Sequence, residues 1–197
     1  MSRLNSGAKL LDIGCYIGTD LRHLVSAGAS SSNLVAIDIV SHWDVGYEMF
    51  NDRSKFHTTF IETDILAPNS ELAAMKGTFD IIYVAQVLHQ WGWGRQVEAC
   101  KRIFEMSTKG AMVVGLQVGL VKGAVKHLKM AKAEATYFFH DSDTFQKMWD
   151  QVGEETGTEW VCESRLRTWE EMGWDPKDAA YLGPDARIVE FVVNRMD

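Results

Sequence analysis

The stretch from Lys9 to Leu24 constrains the fold of this chain more than any other. It opens with a short apolar run over residues 10–13, which is typical of a buried strand in a parallel sheet. The run leads into a turn with glycine at both ends, Gly14 and Gly18, and a helical pattern of apolar residues begins at Leu21. Strand, glycine turn and helix in this order build a small-molecule site at the carboxyl end of the first strand of an α/β sheet.

Three carboxylates near this turn narrow the choice of ligand. Asp12 at the strand end and Asp20 at the helix start argue against a bare pyrophosphate, and they suit a cationic ligand that carries an ammonium and a sulfonium. Asp38 ends the next apolar run, residues 34–38. It follows the glycine turn by about twenty residues, where α/β nucleotide sites place an acid that accepts hydrogen bonds from ribose hydroxyls.

Composition excludes several classes of function. The formal net charge of −7 argues against binding to a nucleic-acid backbone. Three scattered cysteines, Cys15, Cys100 and Cys162, fit neither a disulfide framework nor a zinc site, so we predict a reducing compartment and no metal. The first residues lack the apolar core of a signal peptide, and no window approaches the length of a membrane span. We therefore expect a cytoplasmic protein without a membrane partner.

The remaining sequence alternates apolar runs with helical patterns, which favours five strand–helix units followed by two closing strands. The predicted strands cover residues 10–13, 34–38, 56–63, 79–84, 110–118, 160–168 and 188–194. Residues 120–139 are rich in Lys and Ala and are ambiguous, although their composition favours a helix. Because no shift in composition divides the chain, we predict a single α/β domain over residues 1–197 with a mostly parallel sheet.

Four motifs occur in order along these units. They are Leu-Asp-Ile-Gly-Cys-x-x-Gly-x-Asp (Leu11 to Asp20), the acid Asp38, Thr63-Asp64-Ile65 and Phe79-Asp80-Ile81-Ile82. Together they resemble the class I S-adenosylmethionine-dependent methyltransferases over residues 10–195. Further stretches, at residues 14–20, 87–89, 115–119 and 140–145, are similar to a fungal subgroup that methylates polyketide and terpenoid (meroterpenoid) intermediates.

The resemblance implies a Rossmann-like sheet of seven strands in the order 3-2-1-4-5-7-6, with the last strand antiparallel and helices on both faces. It implies S-adenosylmethionine as cofactor and S-adenosylhomocysteine as product. Family members usually carry a helical cap before the first strand, which we expect to be absent from residues 1–197. A fragment, or a cap supplied by a partner chain or by residues 120–139, would account for this. A second departure is Tyr16, at the position of the superfamily's third glycine; its ring could shape or narrow the methionine pocket.

The resemblance also assigns roles at the strand ends. Asp38 accepts from both ribose hydroxyls, and Asp64 accepts from the adenine amino group beside Ile39 and Ile65. The backbone of Ala85 and the side chain of Gln86 face the cofactor's amino group. The full set of predicted cofactor-binding residues is Asp12, Gly14, Cys15, Tyr16, Gly18, Asp20, Asp38, Ile39, Asp64, Ile65, Ala85 and Gln86.

His89 is the predicted catalytic residue, because an imidazole could deprotonate a phenol or alcohol, or orient a carboxylate by a hydrogen bond. The simpler alternative is a histidine that packs against Trp91 or Trp93. The predicted substrate contacts are His89, Trp91, Gln117 and His140. The lysines of residues 120–132 could attract an acidic substrate, although a solvated helix face is the favoured interpretation.

We therefore predict an O-methyltransferase that acts on a small hydrophobic secondary metabolite, with a homodimer as the expected assembly if it associates. A carboxyl acceptor is favoured over a hydroxyl, since a carboxylate is already ionised at neutral pH and needs no base. Two alternatives stay open: a cofactor-binding partner subunit without methyl transfer, and an isomerase or cyclase on the same fold. A nicotinamide dehydrogenase is less favoured, because the Gly-x-Gly-x-x-Gly spacing is absent.

Overall fold

The computed structural model describes the backbone of residues 1–130 and 133–197, and the side chains of residues 1–127 and 136–197. The strands are β1 (Leu10–Ile13), β2 (Leu34–Asp38), β3 (Thr59–Glu62), β4 (Phe79–Ala85), β5 (Ser107–Leu120), β6 (Ala124–Met130), β7 (Ala133–Phe139), β8 (Trp160–Arg167) and β9 (Ala186–Arg195). The α-helices are α1 (Ser2–Asn5), α2 (Thr19–Ser26), α3 (Trp43–Phe50), α4 (Ser70–Ala74), α5 (Trp93–Met106) and α6 (Ser142–Thr156).

Seven of these strands form one sheet in the order β3-β2-β1-β4-β5-β9-β8. Strands β1 to β5 pair in parallel, whereas β9 runs antiparallel to both of its neighbours, β5 and β8. Numbered within the sheet alone, the order is 3-2-1-4-5-7-6. The predicted fold class is confirmed.

Hydrophobic cores cover both faces of the sheet, because side chains alternate between the faces along each strand. Leu11 of β1 belongs to a core with residues of α5 and α6 such as Ile103 and Trp149. Leu10, its neighbour in sequence, belongs to a second core with Leu21 of α2 and with residues of α3. Both faces of β1 are therefore buried, as the apolar residues at positions 10, 11 and 13 predict.

The helix that the composition of residues 120–139 favours is wrong: the described part of this segment forms strands. Strands β6 and β7 form a separate antiparallel hairpin, and its second strand carries Tyr137, Phe138 and Phe139. The Phe138 ring packs edge-on against Trp93 at 5.0 Å between centroids. Aromatic side chains favour strands when they pack this way, and this outweighs the helix propensity of Lys and Ala. Of the lysines in the acidic-substrate hypothesis, Lys132 and the side chain of Lys129 lie outside the described part of the chain.

The elements after residue 139 agree more closely with those predicted from the sequence. Helix α6 begins after Asp141, whose carboxylate accepts from the Thr144 N–H at 2.7 Å in a capping box. The loop between the closing strands contains a 3-10 turn over Pro176–Leu182. Among the helices in the described part of the chain, none has the length and apolar character that crossing a membrane requires.

The close approach of β4 and β5 generates a stability prediction. A Cβ atom added at Gly115 would lie 1.9 Å from the Val84 carbonyl oxygen, so Gly115→Ala must displace the backbone. We expect the free energy of unfolding to fall by about 3 kcal/mol in urea titrations. Gly94→Ala is the matched control, because among the described residues no atom beyond its chain neighbours and its own helix backbone lies within 4 Å of the added methyl. It should be neutral or stabilise α5 by up to about 1 kcal/mol. Equal stability of the two variants would contradict the tight packing.

Candidate active site

A cavity of about 540 Å³ opens where strands β1 to β4 end at their carboxyl edge. This is the point at which the chain runs to opposite sides of β1, the usual place for a ligand in an open α/β sheet. The predicted cofactor-binding residues that line it are Gly14, Tyr16, Asp38, Ile39, Asp64, Ile65, Ala85 and Gln86. The structure thus brings together side chains from four separate strand ends.

The glycine turn forms the floor of this cavity. Gly14 has a φ of +78°, and a Cβ atom there would lie 2.3 Å from a methyl group of Val87. Its N–H donates to the Ile37 carbonyl of β2 at 2.9 Å. Only glycine combines this backbone conformation with so close an approach, which leaves the peptide plane open to the cavity.

Tyr16 also adopts a left-handed conformation, with a φ of +49°. Its N–H donates to a carboxylate oxygen of Asp38 at 2.8 Å, and the other oxygen accepts from the Val40 N–H at 3.4 Å. Asp38 therefore joins the glycine turn to the end of β2. The Tyr16 ring is 60% exposed and packs on His42, with the ring centroids 4.9 Å apart.

The end of β3 contributes a carboxylate between apolar walls. Asp64 is half-buried and accepts from the Leu66 N–H at 2.9 Å through one oxygen. Ile65 is buried, whereas Ile39, after the end of the neighbouring strand β2, is 64% exposed. An exposed isoleucine at the mouth of a cavity offers an apolar surface to a flat ring.

The end of β4 supplies neutral polar groups. Gln86 has a φ of +57°, and its N–H donates to the Leu116 carbonyl at 2.7 Å. Its side-chain oxygen is buried without a hydrogen-bond partner among the described residues. Gln90 donates to the Gln86 carbonyl at 2.9 Å, and Trp91 and Arg95 complete this side. Gln86 lines the cavity, and a buried acceptor without a partner on a lining side chain is a candidate for a ligand donor.

The other predicted cofactor residues, Asp12, Cys15, Gly18 and Asp20, do not line the cavity. Asp12 is buried on β1, and burial, followed by the charges of Asp20 and Asp38, raises its pKa to about 8. It is mostly protonated at neutral pH. Tyr83 lies against the same carboxylates, and its pKa is raised by burial and by Asp20.

A second cavity of about 370 Å³ adjoins the first, because Gln90 lines both. Its walls are largely aromatic and aliphatic, and His89 contributes an imidazole ring to them. The lining residues are His89, Gln90, Val118, Tyr137, Phe139, Tyr181 and Leu182. Burial lowers the pKa of His89 to about 4, so its ring is neutral near pH 7. Its Nδ1 atom has no hydrogen-bond partner in the described part of the chain.

Two predicted substrate contacts are not brought to either cavity. His140 is fully buried, and its Nε2 atom lies 3.2 Å from the Gln96 side-chain oxygen. Gln117 is 1% exposed on β5 and lies outside both linings. Trp91, a third predicted substrate contact, lines the first cavity. The ring of His89 packs edge-on against Phe139, with 6.0 Å between the ring centroids. A polar residue near a strand end suggested exposure that the packing does not allow.

Sequence reasoning missed Arg22, which fixes the glycine turn. Its guanidinium is buried and binds Asp52 at 2.7 and 3.1 Å. It also donates to the backbone carbonyls of Ile17 and Gly18, and it lies 4.3 Å from the Phe56 ring centre. No local signal distinguishes this arginine from an exposed one on a helix, because its partners come from a distant segment.

Comparisons with known proteins agree with this geometry. The O-methyltransferase phiE of a fungal species (Fungal sp. strain ATCC 74256) is 36% identical over 170 residues, 84% of this chain and 56% of that protein. The O-methyltransferase atr3 of Stereocaulon alpinum is 33% identical over 190 residues, 93% of this chain and 55% of that protein. The chain thus spans about half the length of these relatives. No protein-family model matches it.

A solved structure confirms the fold. The 1,6-didemethyltoxoflavin-N1-methyltransferase of Burkholderia thailandensis, solved with bound 1,6-didemethyltoxoflavin and S-adenosylhomocysteine, superposes with a TM-score of 0.66 at 13% identity. The match covers 100% of this chain and 76% of that one. The resemblance to S-adenosylmethionine-dependent methyltransferases and to their fungal subgroup, inferred from the sequence motifs, is confirmed.

The buried titratable groups predict a stability maximum near pH 6.5. His89 and His140 have pKa values of about 4, below the ordinary 6.5, so the folded chain binds fewer protons than the unfolded one between these pH values. Stability therefore falls as the pH drops from 6.5 to 4. Asp12 has the opposite sign, because its pKa is raised from 3.8 to about 8, and its contribution falls as the pH rises through that range.

Below pH 6.5, the effect of the two histidines on the free energy of unfolding exceeds the opposite effect of Asp12. Between pH 6.5 and 8, Asp12 alone of these three groups changes it. We expect the free energy of unfolding to change by about 1.4 kcal/mol per pH unit on each side of the maximum. Urea titrations across pH 4.5–8 measure this, and Asp12→Asn should abolish the decline above pH 6.5. A wild-type stability that rises steadily to pH 8 would show that Asp12 is ionised in the folded protein.

Proposed function

We propose that this chain is the cofactor-binding and catalytic part of an S-adenosylmethionine-dependent O-methyltransferase. The acceptor is a small hydrophobic secondary metabolite, methylated on a carboxyl oxygen in preference to a hydroxyl. The observation that carries the proposal is the cavity at the carboxyl ends of β1 to β4, where Asp38, Asp64 and the glycine turn meet. The similarity to named fungal O-methyltransferases supports it.

The residues of the cavity fit the cofactor's functional groups. In this proposal Asp38 accepts from the ribose hydroxyls, since a carboxylate offers more acceptor sites than its two backbone hydrogen bonds use. Asp64 accepts from the adenine amino group, and Ile39 and Ile65 flank the ring. The unsatisfied oxygen of Gln86 accepts from the ammonium group.

When bound, S-adenosylmethionine supplies an electrophilic methyl group on a sulfonium. The protein's contribution is to hold the acceptor oxygen about 3 Å from the methyl carbon, in line and shielded from water. The second cavity suits this task, because it adjoins the first and its walls are largely apolar. Residues of the β6–β7 hairpin, Tyr137 and Phe139, form one of its sides.

The state of His89 supports a carboxyl acceptor. A ring whose pKa is lowered to about 4 is a weak base for a phenol or alcohol. A carboxylate is already ionised and needs only orientation, which the neutral ring supplies through a hydrogen bond. His89 is then a residue that touches and orients the acceptor. The one-domain organisation, cytoplasmic location and homodimer stay predictions.

Calorimetric titration with S-adenosylhomocysteine and S-adenosylmethionine tests the cofactor site. Asp38→Ala should weaken both affinities about 10- to 100-fold, the usual effect of losing hydrogen bonds to a charged group. Asp44→Ala is the matched control, because this carboxylate is exposed on α3 and its ion-pair partner among the described side chains is the exposed Arg53. Thermal unfolding of Asp38→Ala separates a lost ligand contact from a disrupted turn. Failure of the wild-type chain to bind either compound would overturn the proposed function.

A screen of carboxylic and phenolic acceptors tests the role of His89. His89→Gln should lower kcat/KM for a carboxylic acceptor about 10-fold, whereas loss of a general base would cost 10²- to 10⁴-fold. The wild-type kcat for that acceptor should show no inflection between pH 5 and 8. A larger loss or an inflection in that range would contradict the orienting role. Cofactor binding without transfer to any acceptor favours the partner subunit, and conversion without cofactor consumption favours the isomerase or cyclase.

A further inference from the structure

The charges of the first cavity are separated along its length. Both of its carboxylates, Asp38 and Asp64, come from the ends of β2 and β3. On the far side of the glycine turn, the β4 side is lined by the neutral Gln86 and Gln90, together with Arg95. Among the described residues that line this cavity, Arg95 is the one cationic side chain. The cavity is therefore built for a ligand with donors at one end and a negative charge at the other.

Among the described side chains, Arg95 lacks the carboxylate partner that most of the other arginines have. Arg22 binds Asp52, Arg102 binds Glu105, and others pair with carboxylates of β9 or the C-terminus. Within the described side chains, Arg95 makes neither an ion pair nor a hydrogen bond. Its side chain is exposed and lines the cavity. A guanidinium is a rigid fork of donors that matches a carboxylate with two parallel hydrogen bonds.

The local backbone adds to this preference. Arg95 lies in the first turn of α5, a helix of 14 residues whose N-cap is Gly92. Gly92 has no side chain to accept from the first N–H groups of the helix, so these donors stay available to an anion. Trp91, just before this N-terminus, lines the same side of the cavity. Of the first turn of α5, Arg95 lines the cavity, so its guanidinium favours negative charge on the β4 side.

We propose that Arg95 binds a carboxylate at the β4 end of the first cavity. The proposal deepens the proposed function and rests on it. A carboxylate can reach this place from two sources, the α-carboxylate of the cofactor's amino-acid part or the carboxyl group of an acidic acceptor. Neither requires a covalent step by Arg95, which is a binding and orienting residue.

The experiment compares two cofactor-related ligands in calorimetric titrations. S-Adenosylhomocysteine carries an α-carboxylate, whereas 5′-methylthioadenosine keeps the adenosine and sulfur but has no carboxylate. Wild type, Arg95→Gln and Arg95→Lys are titrated with both ligands. Arg102→Gln is the matched control, because Arg102 is on the same helix but does not line this cavity. Circular dichroism and thermal unfolding verify that each variant is folded.

If Arg95 binds the cofactor's carboxylate, Arg95→Gln weakens the affinity for S-adenosylhomocysteine at least 10-fold and leaves the affinity for 5′-methylthioadenosine unchanged. If it binds the acceptor, both ligands are unchanged, and kcat/KM falls at least 10-fold for carboxylic acceptors but not for phenolic ones. Arg95→Lys should keep only part of the affinity or kcat/KM that Arg95→Gln loses, since an ammonium lacks the planar fork of donors.

Two results overturn the proposal, and they differ from each other. A wild-type chain that binds S-adenosylhomocysteine while Arg95→Gln alters neither affinity nor acceptor kinetics shows that Arg95 binds no carboxylate, and the cofactor site itself stands. A wild-type chain that binds neither ligand removes the cofactor site, and the role of Arg95 falls with it.

Discussion

A buried guanidinium holds the centre of this structure together. Arg22 of α2 reaches across to Asp52, beyond the end of α3, and donates to the carbonyls of the glycine turn. It lies 4.8 Å from the centre of the Phe50 ring, and that of Phe56 is also close. A charge removed from water in this way is stable only with its partners in place. The turn, α2 and α3 are therefore fixed relative to one another.

The candidate site depends on that fixed turn. Tyr16 and Gln86 both hold left-handed backbone conformations on opposite sides of the cavity, and each is held by a hydrogen bond from its N–H to a neighbouring element. Backbone conformations of this kind cost about 1–3 kcal/mol each and persist only where the surroundings determine them. Asp38 thus has two functions in this account, since it supports the Tyr16 peptide and presents lone pairs to a ligand.

Much of this arrangement is visible in the sequence. The apolar runs, the glycine turn and the acid at Asp38 predict a mostly parallel sheet and the edge where the cavity opens, because each is a local pattern. The order of the strands is implied only by the family resemblance. Contacts between distant segments are not visible. The burial of Arg22 and His140, the position of Gln90 between two cavities, and the pairing of β6 with β7 all depend on packing that outweighs local propensity.

The central claim is that the cavity at the ends of β1 to β4 binds S-adenosylmethionine and its product. Amide chemical-shift mapping by NMR during titration with S-adenosylhomocysteine tests it most directly. We predict saturable shifts concentrated in the turn from Gly14 to Gly18 and at Ile39, Ile65 and Gln86. Absence of saturable shifts, or shifts confined to other parts of the molecule such as the outer strands β8 and β9, would contradict the account.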